Sequence, residues 1–108
     1  MTAYALGHLH TVDFNAEIVE YLERIDATLD AFGGRFLVHG NPIDLREGSW
    51  AGDLVIIEFP DLELARAWYD SPAYRDILAL RTENAVCDVL LVGGVGAGYR
   101  AAASLAAH

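Results

Sequence analysis

Histidine and glutamate side chains interrupt three otherwise apolar segments that predict β-strands. His8 lies in "AYALGHLH", His39 in "RFLVHG" and Glu58 in "DLVIIEFP". Because side chains alternate between the two faces of a strand, these three residues are predicted to share one sheet face with Arg35. A neutral imidazole and a partly desolvated carboxylate can both exchange protons near neutral pH. The pattern therefore favours His8, His39 and Glu58 as candidate catalytic groups in an apolar cleft.

The same residues also have a purely structural interpretation. Glu58 can form a buried ion pair with Arg35 or His39 across the hairpin and take no part in chemistry. The register of the strand that carries His39 decides between the two, because a slip of one residue moves each side chain to the opposite face. The sequence leaves both interpretations open.

Two histidines of the first strand, His8 and His10, have a spacing found in some metal sites. Zinc needs at least a third ligand, and His39 is the only further histidine before the C-terminal residue. The predicted topology places His39 two strands from His8, which is about 10 Å. The sequence accordingly predicts no metal, and no haem or other cofactor is predicted.

An aromatic segment, "ARAWYDSPAYRDI" at residues 65–77, is a further candidate for a site. No base neighbours Ser71 in the sequence, so a nucleophilic serine is not indicated. Ser71 is instead a good helix N-cap, and Pro72 is favoured at a first helical position, so the segment predicts a break between two helices. The candidate ligand-binding residues are aromatic or basic: Arg35, Trp50, Trp68 and Tyr69.

The elements that would hold these residues alternate along the chain. Residues 3–10 predict a strand, and the apolar spacing from Ile18 to Phe32 predicts a helix that begins at Asn15 and ends at Gly33. "RFLVHG" predicts a second strand that resumes as "IDLRE", with "GSWAG" as a hairpin tip before the third strand, "DLVIIEFP". Helical spacing over residues 62–81 precedes a fourth strand, "CDVLLVGG". Right-handed crossovers turn this β-α-β-β-α-β order into a four-stranded antiparallel sheet with both helices on one face, an α+β fold.

Two of the predicted strands are apolar on both faces. "LVIIEF" and "VLLV" are typical of a sheet that is covered on both sides. Two helices cover only one side, and soluble monomers rarely leave so large an apolar face bare. The sequence therefore predicts a homodimer whose two sheets pack face to face. The alternative is a monomer with a shallow polar sheet face.

Charge and composition argue against several kinds of partner. The chain has 16 acidic and 7 basic side chains and a net charge of −9, which disfavours nucleic acid and anionic membranes as partners. No apolar run approaches the ~20 residues of a membrane-spanning helix, and "MTAYALGHLH" lacks the features of a secretory signal. The single cysteine, Cys87, cannot form an internal disulfide. We predict a cytoplasmic protein with no nucleic-acid or membrane partner.

The C-terminal segment "GGVGAGYRAAASLAAH" is rich in glycine and alanine. It lacks the Lys-Ser/Thr pair of a phosphate-binding loop, and no further strand follows it. We predict one domain over residues 1–94, followed by a tail over residues 95–108 that is flexible or docked on the partner subunit.

Several motifs resemble a small bacterial family, domain of unknown function 1330. They are "FGGRFLVHG", "EGSW", "LVIIEFPDLELARAWYDSPAYRDI" and "VLLVGG", in this order, and the resemblance covers about residues 3 to 94. It implies the dimeric α/β-barrel form of the ferredoxin-like fold, and it implies no particular activity. The superfamily is similar in shape to cofactor-free monooxygenases, muconolactone-type isomerases and some haem proteins, so any transfer of chemistry rests on the fold alone.

These observations favour a homodimeric small-molecule-binding protein whose ligand is apolar or aromatic and lies in a cleft between sheet faces. Its chemistry, if it is an enzyme, would be that of a cofactor-free isomerase or monooxygenase. The alternative is a non-catalytic ligand sensor or assembly module whose interface is filled by its own side chains. The sequence does not decide whether the protein is an enzyme.

Overall fold

Four strands and three α-helices form the fold in the computed structural model, which describes residues 1–107. The strands are β1 (Ala3–Val12), β2 (Arg35–His39), β3 (Asp53–Phe59) and β4 (Ala85–Gly93). The helices are α1 (Ala16–Leu29), α2 (Leu62–Asp70) and α3 (Pro72–Thr82), with short 3-10 helices at Asp30–Phe32 and Ala101–Ala107. The strands pair in the order β2-β3-β1-β4, and every pairing is antiparallel. The predicted β-α-β-β-α-β fold is confirmed, with its second helical segment divided in two.

The ends of α1 lie where the sequence predicts them. The side chain of Asn15 accepts hydrogen bonds from the backbone N–H groups of Glu17 and Ile18, which satisfies two of the free donors of the first turn. Gly33 terminates the helical segment in the left-handed conformation, with φ of 69°. The chain then turns directly into β2.

The break between α2 and α3 is also confirmed. Ser71 has extended backbone angles, and its hydroxyl accepts a hydrogen bond from the N–H of Tyr74 at 3.2 Å. The same hydroxyl donates to the carbonyl of Trp68 at 2.7 Å, so one side chain closes α2 and opens α3. Pro72 occupies the first turn of α3, where its missing N–H removes no helical bond.

The helices cover one side of the sheet, here called the helix face. The buried members of this face on the two central strands are Ala3, Ala5, Ile57 and Phe59. Leu29 of α1, Trp68 of α2 and Ile77 of α3 pack against them and are at most 2% exposed. Burial of these apolar groups is the main source of stability for the fold.

The second strand is shorter than predicted. β2 ends at His39, and residues 40–52 form a loop, so the expected continuation "IDLRE" and the hairpin tip at "GSWAG" are wrong. The loop returns across the end of β1. Gly52 there has φ of 91°, and a Cβ on it would collide with the carbonyl of Leu9, so only glycine allows this approach.

A β-bulge changes the faces on β2. Phe36 pairs with Ile57, but Val38 pairs with Ile56 and His39 with Val55, because β2 carries one extra residue against β3. Since Ile57 and Val55 belong to the helix face, His39 lies on that face as well. The predicted alternation, which put His39 on the other face, is wrong beyond this bulge.

The opposite side of the sheet, here called the open face, carries no helix of the described chain. Its members on the three longest strands are Tyr4, Leu6, His8, Leu54, Ile56, Glu58, Asp88, Leu90 and Val92. Leu90 is 52% exposed and Val92 43% exposed. The bare apolar sheet face that the sequence predicts is therefore present in the single chain.

None of the helices in residues 1–107 combines the length and the apolar character needed to cross a membrane. The predicted division between domain and tail at residue 94 stays a prediction. The last residue of the predicted tail, His108, lies outside the described residues.

Candidate functional site

A cavity of about 90 Å3 lies between α1 and the helix face of the sheet. Most of its lining is apolar and comes from both layers: Ala5, Val55, Ile57, Ile18, Leu22 and Ile25. Leu22 and Val12, which also lines the cavity, are both more than one-third exposed and lie at its opening. A concave apolar space with few polar groups is the usual character of a small-molecule site.

Four side chains of the cavity form one connected polar cluster. The hydroxyls of Tyr21 and Tyr74 lie 2.7 Å apart and share a hydrogen bond. The Nη2 of Arg81 donates to the Tyr74 hydroxyl at 3.5 Å, and its Nη1 donates to Sγ of Cys87 at 2.6 Å. All four side chains line the cavity.

Arg81 is an unusual residue because its charge is buried without an opposite charge. The residue is 6% exposed, and the five ion pairs found in residues 1–107 do not include it. Burial acts to lower its pKa, but the electrostatic influence of Tyr74, Tyr21 and Cys87 outweighs burial and raises the pKa above its ordinary value. The guanidinium therefore stays charged at one side of an apolar cavity.

Tyr21 stays neutral beside this cation. Burial, followed by the adjacent Tyr74 hydroxyl, raises the pKa of Tyr21 far above its ordinary value. The phenol can thus donate a hydrogen bond at any ordinary pH. Together with Arg81, it provides donors for a negatively charged oxygen.

The structure separates the three candidate catalytic residues. His39 lines the cavity on the helix face and stacks on Phe36, with 4.8 Å between ring centroids. His8 and Glu58 lie on the open face, but they are far apart along the strands. His8 pairs with Leu54, and Leu54 lies four residues from Glu58 on β3, a distance of about 13 Å. The prediction that the three residues share one cleft is therefore wrong.

Glu58 pairs with Arg35, one of the two partners predicted for it if its role is structural. Nε of Arg35 lies 3.1 Å from Oε1 of Glu58, and the two residues are direct neighbours across β2 and β3. Both side chains are partly in solvent, so the pair contributes little to stability.

The aromatic candidates fall in three different places. Trp68 is 2% exposed, lines the cavity, and donates its indole N–H to the hydroxyl of Thr28. Tyr69 lies at the edge of the core, with the guanidinium of Arg75 over its ring at 5.1 Å. Trp50 stacks on His8 at the end of the open face, with 3.8 Å between ring centroids. Only Trp68 among them contacts the cavity.

The sequence-based predictions do not include the polar cluster formed by Tyr21, Tyr74, Arg81 and Cys87. A signal for it is present in α3, because Arg81 follows Tyr74 and Ile77 at helical spacing on the buried stripe. A charged residue in such a position is rarely buried without a reason. Nothing local indicates that Tyr21 and Cys87 meet it, since they come from α1 and β4.

The β-α-β-β-α-β order of the elements and the antiparallel sheet order β2-β3-β1-β4 define a protein with the ferredoxin-like fold. The chain belongs to the family described as domain of unknown function (DUF1330), whose model matches residues 2–95. A search of curated proteins found no match.

Solved structures with the same fold are similar to this chain. A dimeric ferredoxin-like protein of unknown function from Jannaschia sp. CCS1 is 13% identical with a TM-score of 0.60, over 87% of this chain and 100% of that one. A protein of unknown function from Rhodopseudomonas palustris is 14% identical with a TM-score of 0.58, over 88% and 83%. SnoaB, a cofactor-independent oxygenase from Streptomyces nogalater, is 18% identical with a TM-score of 0.52, over 92% and 96%. At these identities, the likeness shows the fold alone.

Proposed function

We propose that the protein is a homodimer in which each chain binds a small, mainly apolar molecule that carries one acidic group. The apolar part of the ligand would occupy the cavity between α1 and the helix face. The acidic group would reach Arg81. The observation that carries this proposal is the buried Arg81 guanidinium, which has no carboxylate partner among residues 1–107.

The electrostatics of the cavity support an anionic ligand. A buried cation without an opposite charge loses several kcal/mol of hydration, of which tyrosine hydroxyls and a thiol recover only a part. A carboxylate, enolate or phenolate would add a full negative charge and could accept hydrogen bonds from two nitrogens of the guanidinium. The cavity is therefore better suited to an acid than to a neutral molecule of the same shape.

The size of the cavity limits the buried part of the ligand. An apolar cavity of about 150 Å3 can hold benzene, and the cavity here measures about 90 Å3. A small ring would thus fit only with part of it in the opening beside Leu22 and Val12. We infer a ligand whose remaining atoms extend through that opening.

The same groups suit chemistry that passes through an enolate or a phenolate. A preorganised cation and a neutral hydroxyl donor stabilise an oxygen that becomes negative during the reaction, and in a dry site the effect is large. His39, exposed at the rim of the cavity, is the candidate proton acceptor. These roles match a cofactor-independent isomerase or a cofactor-independent oxygenase. SnoaB, which has a similar fold, is described as a cofactor-independent oxygenase.

Ligand binding can be tested with two molecules that differ mainly in charge. Benzoate and benzyl alcohol have similar size, and only benzoate is an anion at neutral pH. We expect benzoate to bind at least about tenfold more tightly, because a hydrogen bond to a charged group contributes about 1.5–3 kcal/mol. Thermal-shift and calorimetric titrations measure both affinities.

Arg81→Met provides the decisive variant, and Arg75→Met on the same helix is its control. Arg81→Met should still fold, since it removes a buried charge that has no opposite charge and replaces it with a long apolar side chain. It should also lose the preference for benzoate. Arg75, whose side chain is 49% exposed and pairs with Asp70, should be dispensable for that preference. Equal affinity of the wild-type protein for both molecules would contradict the proposal, as would an unchanged preference in Arg81→Met.

Proton exchange separates an enzyme from a ligand sensor. NMR spectroscopy in D2O can follow exchange of the α-protons of phenylacetone, a small aryl ketone that forms an enolate. Accelerated exchange that depends on Arg81 and His39 would support catalysis. Benzoate binding without any accelerated exchange would instead support the non-catalytic sensor.

A further inference from the structure

A second cluster of polar side chains lies at the end of the open face, separated from the cavity by the sheet. His8 and His10 both come from β1, and Asp88 of β4 is the direct cross-strand neighbour of His8. Nε2 of His10 lies 2.8 Å from Oδ2 of Asp88, and the rings of His8 and His10 are 3.8 Å apart. One potential donor atom from each of the three side chains lies within 4.8 Å of the other two.

We propose that His8, His10 and Asp88 bind a divalent transition-metal ion of the zinc type. Two imidazoles and one carboxylate form a ligand set that such ions prefer, and three protein ligands leave a coordination position open for water or another molecule. All three ligands come from one chain. The site uses none of the residues of the cavity, so it is independent of the ligand binding proposed there.

His8 has a backbone carbonyl partner of the kind that metal-binding histidines usually have. Its Nε2 lies 2.6 Å from the carbonyl oxygen of Ala51, and because a carbonyl can only accept, Nε2 carries the proton. A neutral ring then has its lone pair on Nδ1. The indole of Trp50 stacks on the ring with an interplanar angle of 14° and holds it in place. A backbone carbonyl that binds the far nitrogen of a ligating histidine fixes its tautomer and raises its basicity.

The remaining two ligands can close around an ion with small movements. Bond lengths of about 2.1 Å put the donor atoms of tetrahedral zinc about 3.4 Å apart, so the present spread of up to 4.8 Å must shrink. The side chain of Asp88 is 79% exposed and can turn without repacking the core. An ion would replace the proton that His10 and Asp88 share. The net charge of −9 also favours the approach of a cation.

Isothermal titration calorimetry of the full chain without an affinity tag tests the proposal with Zn2+ alone. We expect one Zn2+ per chain with a micromolar or lower Kd. No binding of Mg2+ is expected, because Mg2+ takes oxygen ligands and retains its water. His10→Ala and Asp88→Asn should each raise the Kd for Zn2+ at least about tenfold, since even the loss of an outer partner of a metal ligand has an effect of this size. His39→Ala removes a histidine outside the cluster and should leave the Kd unchanged.

Co2+ supplies a second measurement that reports on coordination directly. Co2+ bound through nitrogen in a site of low coordination number gives visible absorption bands that the hydrated ion lacks, and these bands should disappear in His10→Ala. Asp88→Asn preserves shape at an exposed position, so it remains informative if His10→Ala does not fold. Absence of Zn2+ binding by the wild-type protein would overturn the proposal, and so would wild-type affinity in Asp88→Asn.

Discussion

Tyr21 illustrates how its surroundings change the chemistry of a single residue. The side chain is 8% exposed, and its hydroxyl is held 2.7 Å from that of Tyr74. Burial and this neighbour raise its pKa far above the ordinary value of about 10. The identical residue Tyr99 is 47% exposed, outside the core. Residue type therefore states which chemistry is available, and the surroundings decide whether the phenol stays neutral.

The raised pKa of Tyr21 predicts a specific dependence of stability on pH. In the unfolded chain, Tyr21 loses its proton near pH 10, whereas in the folded chain it keeps the proton to a higher pH. Its contribution to the free energy of unfolding is thus constant below about pH 9 and falls by up to about 1.4 kcal/mol per pH unit above about pH 10. Urea denaturation should show Tyr21→Phe gaining stability relative to the wild-type protein over this range.

Tyr99→Phe is the control for that experiment. Tyr99 is exposed and lies outside the core, so Tyr99→Phe makes the same chemical change without altering the buried cluster. A stability difference between the wild-type protein and Tyr21→Phe that does not vary with pH would show that the phenol is ionised equally in both states.

At the scale of elements, short local features decide where side chains point. Ser71 ends α2 and begins α3, and this break gives α3, which carries Tyr74 and Arg81, its own direction. The bulge in β2 has a larger consequence, since one extra residue moves His39 from the open face to the cavity. Local features of the helices and strands thus decide on which side of the sheet each candidate functional side chain lies.

Loss of the Ser71 hydroxyl should destabilise the protein through both helices. Ser71→Ala removes the N-cap of α3 and the hydrogen bond to the carbonyl of Trp68, and a lost N-cap alone has an effect of about 1 kcal/mol. We expect a Tm lower by several degrees in calorimetry. Ser104→Ala removes a hydroxyl that donates only to the carbonyl of Ala101, so it should leave the Tm nearly unchanged. Equal Tm values for the two variants would argue against this role of Ser71.

Within residues 1–107, the helices cover one side of the sheet and leave the other side open. Leu90 and Val92 of β4 are about half exposed on the open face, beside the partly buried Leu6 and Ile56. Similar structures include proteins described as dimeric. Pairing of two open faces would bury this surface, and it is the assembly proposed for this chain.

A charge placed on the open face should therefore weaken self-association. Leu90→Glu would bury an unpaired carboxylate in each half of the interface, and we expect the dimer Kd to rise at least about a hundredfold. Sedimentation equilibrium measures this against the chain mass of 11.7 kDa. Val19→Glu adds the same charge at an exposed position of α1 and should leave the dimer intact. A wild-type protein that sediments as a monomer at micromolar concentration would exclude this assembly.

The order of the elements, the antiparallel sheet and the uncovered face could all be predicted from the amino-acid sequence. These features follow from hydrophobic periodicity and from end signals such as Asn15, Gly33 and Ser71, which act through the backbone of a few adjacent residues. The family was also recognisable from local motifs. The position of Arg81 on an apolar helical stripe was visible in the sequence as well. The sequence did not show that Arg81 is part of a polar cluster.

Contacts between side chains from distant parts of the chain became visible in the folded protein. Arg81 contacts Tyr21 from α1 and Cys87 from β4, and Asp88 reaches His10 from a strand 78 residues away in sequence. The register of β1 against β4 brings Asp88 close to His10, and the bulge in β2 moves His39 to the helix face. Neither the register nor the bulge leaves a local pattern in the chain. The physical reason is that periodicity shows which face of an element is buried, whereas contacts between elements depend on pairing energies summed over the whole sheet.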